Sequence, residues 1–266
     1  MLGLAGVLAL CSCGSPEPLS ISAASPSLVC PSQRLAVVSL RGAGLPVPRA
    51  GEMPSLPKIE LARRTLLSTM AASDAALSID AAQVRAVSAT QLDFDVTPGA
   101  FSAASEGPDL PPGRYDVKVT FNDGRSATRE AALLAVPPPK VQGITPVPQC
   151  NSQGPLSVTL RGTGFVRQDG QLPQVRFTPI AGGAAVTLPA NQLTGCADLP
   201  VVTGINAAQC TSLSIDIKSG TLAAGAYQVA VENPGGGCLS GEDVRFVVVP
   251  PPVIQEARSS TICTAQ

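Results

Sequence analysis

The sequence predicts an all-β protein made of two tandem β-sandwiches, and three observations predict it. Its 26 prolines and 25 glycines interrupt the 266 residues too often for long helices and fall where they would bound short strands. Its 44% hydrophobic content includes only 3% aromatic residues and no tryptophan, so a core must be built from Val, Leu, Ile and Ala, which suit short pleated strands. Finally, a strand-like stretch of the first half recurs in the second half. A chain of this length exceeds what one small domain needs, so duplication and length agree on two domains.

In chain order, Met1 to Leu10 is an apolar run too short to span a bilayer and long enough for a signal-peptide core. The following L-C-S-C, Leu10 to Cys13, resembles a bacterial lipobox, with Leu three positions before the cysteine and a small Ser12 just before it. That resemblance implies a lipoprotein signal peptide over 1–12, lipidation of Cys13 and, with Gly14 next, sorting to the outer membrane. An ordinary cleaved signal and a buried apolar N-terminus are the alternatives. Residues 13–20 then read as a short solvated tether.

The repeat begins at Ile21. Placing Cys30 on Cys150 gives an ungapped alignment from Ile21/Val141 to Leu45/Phe165, with nine identities in 25 positions. Its centre is P-L-S-V-T-L-R-G-T-G-F, Pro155 to Phe165. There Leu156, Val158 and Leu160 alternate with Ser157, Thr159 and Arg161, which predicts a strand with one buried face, broken by Gly162 and Gly164. Downstream, T-Q-L-D-F-D-V from Thr90 faces T-S-L-S-I-D-I from Thr211, and L-P-P-G-R-Y-D-V-K-V from Leu110 faces L-A-A-G-A-Y-Q-V-A-V from Leu222. Polar turns follow at Asn122 and Asn233, and each copy ends in V-P-P-P, at Val136 and Val249, where proline cannot donate to a ladder. The expected domains are 21–139 and 140–252, joined by a stiff Pro-Pro-Pro hinge. Ile254 to Cys263 realigns with Val141 to Cys150, so 253–266 reads as the start of a truncated third repeat or as a tail.

Each copy has the size of an immunoglobulin-like sandwich, and its Tyr just after a Gly turn, Tyr115 or Tyr227, resembles a tyrosine corner. Both copies resemble IPT/TIG domains, the immunoglobulin-like fold of plexins, some transcription factors and many bacterial surface proteins. The resemblance rests on Ile144 to Pro146, L-R-G-T-G-F at Leu160, L-x-x-G-x-Y at Leu110 and Leu222, N-P-G-G at Asn233 and the V-P-P-P exits, and it covers nearly all of Ile21 to Pro252.

Outside the signal region the cysteines are Cys30, Cys150, Cys196, Cys210, Cys238 and Cys263. In an exported protein disulfides persist. The second copy has 17 residues between Leu193 and Thr211 where the first has five between Val84 and Thr90, and both Cys196 and Cys210 lie in the extra material. A Cys196–Cys210 bridge closing this insertion is the first expectation; Cys150–Cys238 is the remainder. No C-x-x-C spacing suggests zinc. The first copy carries its own insertion around Arg63 to Ala72, expected as a helical turn or two capping the core, with a partner-binding ridge as the alternative.

Chemistry is sparse. There is no His, which removes the commonest general base and every His-based nucleophile or metal arrangement. The net charge of −1, with four lysines and no basic run, lacks the electrostatic footprint of a nucleic-acid binder. Asp93 and Asp95 share a strand face, but calcium needs six or more oxygens, so a solvated face is the reading. Asp216 is the counterpart of Asp95, and Asp109, Asp123, Glu242 and Asp243 are turn residues. Arg41 and Arg161 read as structural partners of a loop carbonyl or carboxylate. No catalytic residue, metal or cofactor is expected. The expected function is a non-catalytic cell-envelope lipoprotein, a spacer or adhesion module whose partners are the membrane, through its lipid, and a surface protein or glycan. Its ligand would meet loops such as 194–210 and 233–241. The alternative is an accessory region of a larger surface enzyme, carbohydrate-active for instance, whose catalytic domain is not in this chain.

Overall fold

The computed structural model describes residues 18–30, 37–45, 56–64, 76–97, 99–101, 110–150, 155–200, 205–235, 238–242, 244–253 and 255. Cys13, the apolar N-terminus and most of the first insertion lie outside the described residues, as does Cys263.

Strands with period-two burial account for nearly all of the regular structure. The first half forms β1 (Ser20–Ser25), β2 (Leu28–Val29), β3 (Val37–Ala43), β4 (Lys58–Arg64), β5 (Leu77–Ser78), β6 (Val84–Ser88), β7 (Gln91–Asp95), β8 (Gly113–Thr120) and β9 (Ser126–Ala135). The second half forms β10 (Lys140–Thr145), β11 (Gln149–Cys150), β12 (Leu156–Gln168), β13 (Gln174–Pro179), β14 (Val186–Pro189), β15 (Gln192–Thr194), β16 (Ala197–Asp198), β17 (Ala207–Ile217), β18 (Gly225–Glu232) and β19 (Val244–Val249).

Each half is a two-sheet sandwich with one strand order. β1-β3-β7-β6 and β2-β9-β8-β4-β5 make the first; β10-β12-β17-β15 and β11-β19-β18-β13-β14 make the second. In both, the first strand pairs antiparallel in one sheet, the chain crosses over, and a two-residue strand joins the other sheet parallel to the last one. A first strand split between two sheets, together with this order, is the immunoglobulin-like arrangement. The protein is therefore an all-β chain of tandem immunoglobulin-like sandwiches.

The cores follow from the alternation. Val38, Leu40, Leu92 and Phe94 of one sheet meet Ile59, Leu61, Tyr115, Val117 and Val119 of the other in a single buried cluster. In the second sandwich Val158, Leu160, Leu213 and Ile215 meet Val175, Phe177, Val229, Val231 and Phe246. The few aromatics are shared between the two cores; in the second, Phe177 packs edge-on against Phe246, with ring centres 5.5 Å apart, and against Tyr227 at 6.3 Å.

The repeated Arg-Gly-x-Gly has a backbone cause. β1 and β10 each carry a register shift opposite this motif, and the bulged edge strand lies so close that a Cβ on Gly42 would strike the Ser20 carbonyl and one on Gly162 the Lys140 carbonyl. The second glycine of each motif, Gly44 (φ 68°) or Gly164 (φ 77°), takes a left-handed conformation. Both tyrosines form the corner their position predicts. The Tyr115 hydroxyl donates to the Pro111 carbonyl at 2.6 Å, and that of Tyr227 donates to the Ala223 carbonyl at 2.8 Å.

A third apolar cluster joins the sandwiches. Leu28, Cys30, Leu134 and Val136 of the first pack with Val166, Ala207 and Cys238 of the second. Cys30 is bonded to Cys238 across this junction, 208 residues away in sequence. This corrects the expected Cys150–Cys238 bridge. Cys150 lies on β11, where it pairs with Val249 at the last strand of its own sandwich, whereas Cys238 follows β18 in the loop that meets the first sandwich. The Pro-Pro-Pro segment is part of the junction as well. Pro139 is buried, and a Cβ on Gly164 would lie 3.1 Å from its Cα.

Candidate functional site

A concavity lies at the loop end of the second sandwich, beside the junction. It is a groove of about 580 Å³ lined by Gln171, Leu172, Gln174, Glu232, Asn233, Pro234 and Gly235. One wall comes from the turn after β12. There Asp169 (φ 50°) and Gly170 (φ 81°) allow Gln168 and Gln171 to exchange backbone hydrogen bonds at 3.1 and 2.8 Å. The Asp169 carboxylate accepts from the Asn206 amide at 2.8 Å, tying that turn to the residue just before β17.

The other wall is the β18–β19 loop, and Asn233 fixes it. Its side chain is buried; Oδ1 accepts from the Val166 amide at 2.9 Å, and Nδ2 donates to the Gly164 carbonyl at 2.7 Å. These bonds satisfy the backbone groups that the glycine break in β12 exposes. The loop is closed further along by the Asn233 amide donating to the Cys238 carbonyl at 3.0 Å, and Cys238 carries the disulfide. Ser240 Oγ accepts from the Val231 amide at 2.8 Å. Beneath Gly235, the side-chain oxygen of Gln168 is buried and has no hydrogen-bond partner among the described residues. A side chain on Gly235 would collide with it.

The groove's chemistry is that of hydrogen bonding. Gln171 and Gln174 expose primary amides, each able to donate and accept, and the half-buried Glu232 supplies acceptor oxygens. Glu232 is the one carboxylate among the described residues that line the groove. Among the described residues, no three His, Cys, Asp or Glu side chains gather as a metal site.

The other candidate residues are dispersed. Cys196 and Cys210 are bonded, with Cα atoms 3.9 Å apart, so the insertion between β15 and β17 is closed on itself. Asp95 accepts a long 3.5 Å bond from Arg85, and Asp93 accepts from the Gln91 side chain at 3.0 Å, both on the outer face of β7. Asp123 lies in the β8–β9 turn; the Arg125 amide and guanidinium donate to its carboxylate and hold its pKa below the ordinary value. Glu242 pairs with Arg176 at 2.9 Å. Arg64 bridges Asp116 at 2.7 Å and Glu130 at 2.8 Å, and these hydrogen bonds favour its charged form further. Arg41 and Arg161 are exposed, and no partner for either guanidinium is seen among the described residues.

Sequence reasoning pointed to residues 233–241 and so reached one wall of the groove. It did not single out Gln171, Leu172 or Gln174. The signal available for them was the Q-D-G-Q turn at Gln168, whose Asp-Gly pair marks a tight reversal.

No protein-family model matches the sequence, and no curated protein matches it. Solved structures align with most of the chain at low identity. Murine CEACAM1b shares 16% identity, with a TM-score of 0.24, over 88% of this chain and 99% of its own. The surface glycan-binding protein SGBP-B of the Bacteroides ovatus mixed-linkage glucan utilization locus, solved with a mixed-linkage heptasaccharide, shares 10% at a TM-score of 0.29, over 89% of this chain and 46% of its own. The titin I-band fragment I67–I69 shares 11% at 0.28, over 89% of this chain and 66% of its own. The immunoglobulin-like assignment rests on the two strand orders and the two tyrosine corners described above.

Proposed function

We propose that this chain is a non-catalytic binding module of a bacterial cell envelope, with IPT/TIG-like sandwiches carried on a lipid at Cys13 and a hydroxyl-rich glycan bound in the groove of the second sandwich. The observation that supports this reading is the groove itself. Its rim is built of exposed amides and one carboxylate, groups that exchange hydrogen bonds with vicinal hydroxyls, and its walls are pre-ordered by Asn233 and by the Cys30–Cys238 bridge. Its volume lies within the range of small-molecule clefts. The short tether after Cys13 would hold the first sandwich near the membrane and the groove beyond it.

Affinity electrophoresis of the full chain through gels containing soluble neutral polysaccharides tests the groove. Retardation by at least one polysaccharide, reduced at least tenfold in affinity by Q174A with E232A, is expected. Retardation unchanged in the double variant, or none with any polysaccharide, overturns the glycan reading. The anchor has a separate test: in a bacterium fed labelled palmitate, the wild type should take up label and Cys13→Ala should not. Label retained by the variant would refute lipidation at that residue.

A further inference from the structure

Two residues of the groove, Gln174 of β13 and Glu232 of β18, are a cross-strand pair on the outer face of their sheet. Val175, Phe177, Val229 and Val231 point into the core, so the residues between them, Arg176 and Thr178 of β13 with Gln228 and Ala230 of β18, continue that outer face away from the groove. Gln228 in turn pairs with the exposed Arg245, which carries the face onto β19. The groove therefore opens onto a sheet surface and does not end at its rim.

The first sandwich supplies an internal comparison. Tyr115 and Tyr227 hold the same corner, so strand register matches Asp116 with Gln228, Lys118 with Ala230 and Thr120 with Glu232. On the neighbouring strand it matches Lys58 with Gln174, Glu60 with Arg176 and Ala62 with Thr178. The first face is a set of charges that pair with one another: Glu60 lies 2.7 Å from Lys58 and 3.9 Å from Lys118, and Asp116 lies 2.7 Å from Arg64. Opposite charges across neighbouring strands are an ordinary way to fill a solvated sheet face. In the second sandwich the positions of Lys58, Asp116 and Lys118 hold Gln174, Gln228 and Ala230, and the charge of Arg176 is paired with Glu242 at 2.9 Å. Glu232 and Glu242 balance Arg176 and Arg245 in sign. Charges thus give way to amides on the sheet that the groove opens onto, and the first sandwich, whose matching loop is a short N-D-G-R turn, lacks the long loop that walls the groove.

We propose that the outer face of β13, β18 and β19 continues the groove and binds a linear, neutral polysaccharide along its length, with Thr178, Gln228 and Arg245 as a second row of contacts beyond Gln174 and Glu232. This rests on the glycan reading of the groove. Amides and hydroxyls both donate and accept, so they exchange hydrogen bonds with sugar hydroxyls without demanding a counter-charge. The Arg176–Glu242 pair lies between the two rows beside the fully buried Ala230, each partner holding the other in place for a ligand. A polyanion would meet Glu232 and Glu242. Gln228 and Glu232 are four residues apart on one strand, about 13 Å, so a chain of about four sugar rings is needed to touch both rows. A disaccharide stays in the groove.

Length dependence tests this on the full chain. Affinity electrophoresis through hydroxyethylcellulose, dextran and galactomannan selects the polysaccharide, and calorimetric titration follows with its two-ring and six-ring fragments. The wild type should bind the six-ring fragment at least tenfold more tightly. T178A with Q228A should remove most of that ratio and leave the two-ring affinity unchanged, and R245A, at an exposed position, should lower the ratio as well. Equal wild-type affinities for the two fragments, or a ratio unchanged in either variant, overturns the proposal and leaves the groove reading standing. If the double variant loses two-ring binding too, the R245A ratio decides. Binding to none of the three polysaccharides overturns both readings. Raising the salt to about 1 M should leave the six-ring affinity unchanged, and a steep loss would show charge-driven binding and overturn the neutral assignment.

Discussion

At Gly162 the edge strand β10 passes close enough that any side chain meets the Lys140 carbonyl and the Phe165 ring, both held by the sheet and the core. Gly143, on the same bulge, has open space where its Cβ would be. Gly162→Ala should therefore cost about 1–3 kcal/mol, the range for forced overpacking, while Gly143→Ala stays within about 0.5 kcal/mol. Denaturant unfolding of the two variants checks the difference, and equal stabilities would refute the close-approach account. The corner tyrosines act at the same scale. Tyr227→Phe removes the 2.8 Å hydrogen bond to the Ala223 carbonyl while keeping the buried ring, and should lower stability by about 1 kcal/mol in the same assay. An unchanged midpoint would show that water replaces the hydroxyl.

The insertion between β15 and β17 is the element in which the two sandwiches differ most among the described residues. It holds β16 against β17 through Ala197 and Asp198, and the Cys196–Cys210 bridge closes it. A loop of this length restricted in the unfolded chain is worth about 3 kcal/mol. C196A with C210A should lower the unfolding midpoint accordingly and open residues 197–200 to limited proteolysis, leaving the β12–β17 ladder protected. Cleavage elsewhere first would place the bridge's effect outside the insertion. The element was legible in the sequence because an insertion with a cysteine near each end is a local pattern. The groove was not, since its two walls lie some 60 residues apart in sequence and meet only when Asn233 bonds to Val166 and Gly164.

Across the whole molecule, the expected proline hinge is part of a packed junction. Pro139 lies against Gly164, Leu134 and Val136 are buried, and Cys30–Cys238 closes a loop of most of the chain. Cys30→Ser should leave both cores intact yet widen the spread of inter-sandwich distances in small-angle scattering, and cost about 2–5 kcal/mol in the stability of the docked form. Cys238→Ser should match it, and the two changes together should cost no more than either. A scattering profile indistinguishable from wild type would show that the apolar contacts alone hold the junction.

The all-β class, the duplication, the buried strand faces and the tyrosine corners are all legible in the amino-acid order. Each of these is a local periodicity or a residue type at a fixed offset, and 120 residues of separation do not blur a pattern that is read twice. Tertiary structure alone decided which cysteine meets Cys238. Spacing treats Cys30 and Cys150 as equivalent because they occupy the same place in their own sandwiches. The choice follows from direction: the loop bearing Cys238 faces back toward the domain that precedes it, and the cysteine waiting there is Cys30.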